Sequence, residues 1–112
     1  MARSDRQRVA DILEAIADIR DHTVRMRRED FAADRKTQNA VLYCVGVNGE
    51  AARLLSDTVK ARSPEISWID VVNIRHRVAH EYFRIDVDLI WKVIKDDLEP
   101  LEAALRKASP DE

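Results

Sequence analysis

Val9, Ile12, Leu13, Ile16 and Ile19 recur every three or four residues, the spacing that gathers side chains on one side of an α-helix. The pattern predicts an amphipathic helix from about residue 5 to 22, capped by Ser4 or Asp5. The period lapses in "HTVRMRREDFAAD", which has room for one short turn, and Asp30 or Asp34 can cap the next helix. A longer stripe then runs through Val41, Leu42, Val45, Ala52, Leu55 and Val59, predicting a helix from about Asp34 to Ala61. It stops at "RSPEIS", where Pro64 drives Ser63 out of the helical region. "SWIDVVNIRHRVAHEYF" carries Trp68, Ile69, Val72 and Val78 as apolar anchors, with Ser67 and Asp70 spaced like a weak capping box. After "FRID", Asp86 can cap a last helix bearing Leu89, Ile90, Val93, Ile94, Leu98, Leu101 and Leu105, which Pro100 should kink or end near Glu99.

Four main helices with short connections, and room for one extra short helix, imply an all-α fold, an antiparallel helical bundle. The 112 residues fit one domain, 1–112, with 108–112 as a disordered tail. Gly46 and Gly49 fall inside the longest helix, where each costs about 1 kcal/mol against Ala, so another helix should approach closely there. Asn48 borders the same seam and needs a hydrogen-bond partner if it is buried.

Composition supports helix: the chain is 46% apolar and 36% charged, with two glycines and three prolines. No run of about 18 apolar residues exists, and "MARSDRQR" leads into no signal-type stretch, so a cytoplasmic protein without a membrane span is expected. The single cysteine, Cys44, sits in an apolar pattern and reads as a small buried thiol. A net charge of −2 argues against a protein that coats nucleic acid. Arginines nevertheless gather at Arg20, Arg25, Arg27 and Arg28, and again at Arg75, Arg77 and Arg84. Fourteen arginines to five lysines suits bidentate contacts to phosphate or carboxylate, and a GC-rich coding sequence would give the same ratio.

The densest chemistry lies in "NIRHRVAHEYF". In an unbroken helix Arg75 and His80 would be rotated by about 140° and separated by about 7.5 Å along the axis. They would share a site only if the helix ends between them or a second copy of the chain completes it. Arg75 and Tyr82, seven apart, would share a side if the helix persisted. Three readings of the cluster compete. His76 and His80, four apart, could ligate a metal, but a third ligand is missing nearby. The cluster could be a solvated basic face. It could also be a nuclease site, with histidine moving protons and arginine stabilising a phosphorane-like transition state.

"RHRVAHEY", Arg75 to Tyr82, resembles the R-x4-H-x-Y signature of the HepT toxins, a branch of the HEPN superfamily of helical ribonucleases. "DRKTQNAVLYCVGVNGEAARLLSD" is similar to that family's long helix and "IDVDLIWKVIKDDLEPL" to its last one, so the likeness covers residues from about 5 to 102. The resemblance implies a HEPN-like bundle that forms a homodimer with the motifs of both subunits in one cleft. It implies Arg75 and His80 as the catalytic pair of a metal-independent endoribonuclease that uses the RNA 2′-hydroxyl, with no metal and no cofactor. His76 and Arg77 become candidate phosphate or RNA contacts. The implied partner is a minimal nucleotidyltransferase antitoxin that blocks the toxin by transferring AMP to Tyr82. The alternative is a non-catalytic helical subunit that docks on and regulates a nucleotidyltransferase.

Overall fold

The computed structural model describes residues 3–80 and 84–108. Their helices are α1 (Asp5–Thr23), α2 (Arg28–Ala32), α3 (Arg35–Leu54), α4 (Asp57–Ala61), α5 (Trp68–Val72), α6 (Ile74–Val78), α7 (Val87–Lys92) and α8 (Leu98–Lys107). Between α7 and α8, Val93–Asp97 winds as a π-helix. No strand forms among the described residues, only an isolated antiparallel bridge between Ala79 and Ile85.

The stripes read from the sequence become the core. Ile12, Ile16 and Ile19 of α1 meet Val41, Val45 and Ala52 of α3, joined by Phe31, Val78, Ile90 and Leu105. Each such side chain contributes about 1.5–3 kcal/mol through removal from water, whereas an exposed ion pair contributes about 0–1 kcal/mol. Apolar burial therefore sets the packing, and polar contacts set its direction. The backbone N–H of Ser56, just past α3, donates to the Asp5 carboxylate at 3.0 Å, so the start of α1 lies beside the end of α3 and the two run antiparallel. Arg20, in the last turn of α1, pairs with Glu102 of α8 at 2.7 Å. Phe31 and Trp91 stack obliquely with ring centroids 5.5 Å apart, joining α2 to α7.

Ser4 forms a capping box with Gln7, Asp34 caps α3 through the Thr37 N–H, and Asp86 caps α7 through the Leu89 N–H. Ser67 makes no side-chain cap bond. Cys44 is buried, and burial, with Asp18 as the lesser cause, raises its thiol pKa.

The helix expected to run from Asp34 to Ala61 ends at Leu54. Ser56 is extended (φ −65°, ψ 154°); its hydroxyl accepts from the Val59 N–H to start α4, while its own N–H is taken by Asp5. A local cap thus outcompetes helix continuation. The segment expected as one motif helix breaks at Asn73 (φ −96°, ψ 11°) and ends at Val78, because Ala79 turns extended to pair with Ile85 and Asp86 donates its N–H to the Val78 carbonyl at 2.7 Å. Pro100 does not end the last helix, which continues to Lys107; the irregularity that its missing N–H demands lies upstream in the π turn. The tail from Ser109 onward lies outside the described residues.

Gly49 shows the close approach that its cost predicted. A Cβ there would lie 3.0 Å from the Val72 carbonyl oxygen and 3.3 Å from that of Val71. At Gly46 a Cβ would meet only the Arg75 side chain, with Cδ at an ordinary 3.5 Å and Nε at 3.8 Å. Gly49→Ala should therefore destabilise by about 1–3 kcal/mol through forced backbone movement. Gly46→Ala should stabilise by up to about 1 kcal/mol through helix propensity. Urea unfolding of the two variants checks this opposition of signs.

Three carboxylates tie the bundle at its ends and sit below the ordinary carboxylate range. Hydrogen bonds from Ser56 lower Asp5, the Thr37 N–H lowers Asp34, and the Arg20 guanidinium lowers Glu102. A folded pKa below the unfolded value gives stability that is present above the unfolded value and lost as pH falls through the folded one. Urea midpoints should thus hold on the acid side down to about pH 4–5 and fall below it. Asp34→Ala should lower the urea midpoint at pH 7, through loss of the cap on α3, and make that acid loss shallower.

Candidate functional site

The motif segment crosses α3 at its two glycines, and this crossing aims its side chains. The Arg75 side chain lies over Gly46 and lines an open groove of about 630 Å³. Leu42, Tyr43, Val47 and Leu54 of α3 give that groove an apolar floor, with Arg8 and Asp11 of α1, and Arg3 just before it, at its side. Tyr43 is 74% exposed and Leu54 44%. Arg3 holds Asp11 at 2.7 Å, and Arg53 holds Glu50 at 2.7 Å; the Arg53 hydrogen bond keeps the Glu50 carboxyl below its ordinary range.

His80 stands two residues beyond the end of α6, on extended chain rather than on the helix. Its backbone N–H donates to the Arg84 carbonyl at 2.8 Å, closing the Ala79–Ile85 bridge. Its side chain is exposed. The helix therefore ends between Arg75 and His80, so the 140° offset of an unbroken helix does not apply to them, and by itself it gives no argument for a second copy. His76 is exposed within α6 and His80 lies past its end, so the helical i, i+4 pairing assumed for a metal site is absent. Among the described residues no group of three or more His, Cys, Asp or Glu side chains is placed to hold a metal ion. Tyr82 lies outside the described residues.

Arg77 is half-buried and lines a different cavity, of about 300 Å³, walled by α3, the loop before α5, α5, α6, the π turn with Lys92 before it, and α8. Asn48 lines this cavity too, is 4% exposed, and has a buried Oδ1 without a hydrogen-bond partner. An unsatisfied buried acceptor of this kind costs about 1–3 kcal/mol.

Among the described residues, three of the four arginines in the first group form ion pairs. Arg20 pairs with Glu102, Arg27 with Asp30, and Arg28 with Asp88. Arg8 is a functional candidate that sequence reading passed over. It lies four residues before Ile12 on the buried stripe of α1, lines the Arg75 groove, and has a buried Nε without a partner. An arginine in phase with an apolar stripe was the signal that could have found it.

An all-helical bundle that carries R-x4-H at the end of a helix crossing its longest helix is the HEPN architecture. The sequence profile described as Ribonuclease HepT-like matches residues 12–108, and the chain belongs to that family of ribonucleases. It is 36% identical over 107 residues to a protein of Thermococcus cleftensis named "Probable ribonuclease HepT", covering 96% of this chain and 97% of the relative. Two Methanocaldococcus jannaschii proteins named "Putative RNase" are also similar. One is 32% identical over 86% of this chain and 83% of its own length, the other 31% over 79% and 81%. No solved structure matches the chain. No helix among the described residues is long and apolar enough to cross a membrane.

Proposed function

We propose that the chain acts as a single HEPN-like domain with metal-independent endoribonuclease activity, the toxin of a toxin–antitoxin pair. The observation that carries this reading is the placement of Arg75 over Gly46 at an open groove, with His80 fixed by its backbone just past the end of the same helix. His80 takes the proton of an RNA 2′-hydroxyl as its oxygen bonds to the adjacent phosphorus. The bond from phosphorus to the 5′-oxygen breaks, and that oxygen takes a proton from water. Arg75 holds the non-bridging oxygens, where negative charge grows. The product is a 2′,3′-cyclic phosphate, and DNA, lacking the 2′-hydroxyl, is not cut. His76 and Arg77 serve as RNA contacts.

The groove also supports a homodimer. It presents an apolar strip with Arg3, Arg8 and Arg75 beside Asp11 and Glu50, a mixture of signs that can complement its own copy across a two-fold axis. A nucleotidyltransferase antitoxin would act on Tyr82, two residues from His80, by adding a nucleotide whose charge and bulk oppose RNA entry.

With excess EDTA present, His80→Ala should cut total RNA at least about 100-fold more slowly than wild type, with unchanged circular dichroism. Arg75→Ala should lose about 100- to 1,000-fold. A wild type inert even after phosphodiesterase treatment would end the nuclease reading and favour the docking subunit. Tyr43→Asp, at an exposed site, should leave the helical signal intact and shift light-scattering mass from dimer to monomer; an unchanged mass would remove the groove from the interface.

A further inference from the structure

The Arg75 groove and the Asn48 cavity open on opposite sides of one helical segment, so a chain held at the motif reaches the cavity by crossing a helix about 10 Å wide. The cavity has an apolar floor that includes Val45, Ile74 and Leu101, and its volume of about 300 Å³ stands at the small end of ligand pockets. Two of its wall residues, Val93 and Asp97, bound the π turn, a distortion of helical winding found most often at functional sites. Asn48, 4% exposed and with an unsatisfied Oδ1, is its buried polar side chain.

The rim decides which part of a nucleotide can enter. Arg77 and Lys92 stand there with Glu65, Asp70 and Asp97, and Lys92 is 3.8 Å from Asp97. Three carboxylates against two cations disfavour a phosphate and admit a neutral, flat group. Asparagine pairs with an adenine edge by accepting from the exocyclic amine and donating to a ring nitrogen, and splayed RNA bases are read through such edges. We propose that this cavity binds a nucleobase bearing an exocyclic amine, with Asn48 as the side chain that selects it. The base comes from a nucleotide near the cleaved phosphate or from a free nucleoside; the first source rests on the ribonuclease reading, the second does not.

Binding of adenosine, cytidine and uridine to the intact chain, followed by calorimetry and amide NMR shifts, tests the site without any need for cleavage. Adenosine and cytidine should bind about tenfold more tightly than uridine, which lacks the amine, and Asn48→Leu should abolish the difference. Val71→Phe, at a half-buried wall position, fills the cavity and should abolish all three signals in a chain whose folding is confirmed by circular dichroism. A second arm compares cut sites in single-stranded oligoribonucleotides. A preference for A or C over U beside the cut, flattened by Asn48→Leu, assigns the occupant to the RNA; nucleoside binding with an unbiased cutting pattern assigns it to a free nucleoside. Equal signals for the three nucleosides, or none, together with unbiased cutting, would overturn the proposal. The ribonuclease reading would survive that result as long as His80→Ala still abolishes cleavage.

Discussion

The motif segment rests on α3 with backbone against backbone at Gly49, where the Val72 carbonyl stands 3.0 Å from the position a Cβ would take. Everything of functional interest hangs on that contact. It brings Arg75 over Gly46 and divides the surface into a groove on one side and a cavity on the other. The two glycines cost the isolated helix about 2 kcal/mol together. What offsets the cost at Gly49 is tertiary: a larger residue there would push back the segment α5–α6, whose Ile74 and Val78 are buried.

The second constraint is the short extended pairing past α6. Helix formation would have carried the chain onward through His80, since nothing in "RVAHEYF" breaks a helix strongly. The structure instead uses the Asp86 N–H to bond the Val78 carbonyl while the Asp86 carboxylate caps α7, so one residue ends one helix and starts the next. A histidine placed on extended chain is free of the helical register. Its position relative to Arg75 is then set by the bridge between Ala79 and Ile85 rather than by 100° steps.

Charge explains less than its abundance suggests. Arg20 and Arg28 are matched with carboxylates on other helices, Glu102 and Asp88, and so join elements, while Arg27 pairs locally with Asp30 at the start of α2. Arg3, Arg8 and Arg75 line the groove, and Arg77 lines the cavity. A net charge of −2 with a local basic site is consistent with a protein that engages a short stretch of RNA at a fixed geometry rather than coating it.

The apolar period specified α1, the body of α3 and the last helix, because burial of a one-sided stripe is a local property of the chain; residue type named Asp86 as a cap and narrowed the others to Ser4 or Asp5 and Asp30 or Asp34, between which the structure chose Ser4 and Asp34. The need for a close crossing at Gly49 was legible for the same reason, since a glycine inside a helix carries a known cost; the same signal at Gly46 pointed to a close approach that the structure does not show. The R-x4-H-x-Y signature was legible as a resemblance, and with it the family. Tertiary structure decided the rest. The break at Ser56 depends on Asp5, 51 residues away; the end of α6 depends on a bridge to Ile85; the cavity at Asn48 depends on α3, α5, α6, the π turn and α8 meeting. The first and third are contacts between residues distant in sequence, whose energy no local pattern encodes until the helices are in place; the second is a short-range pairing that competes with helix continuation and carries no periodic signal.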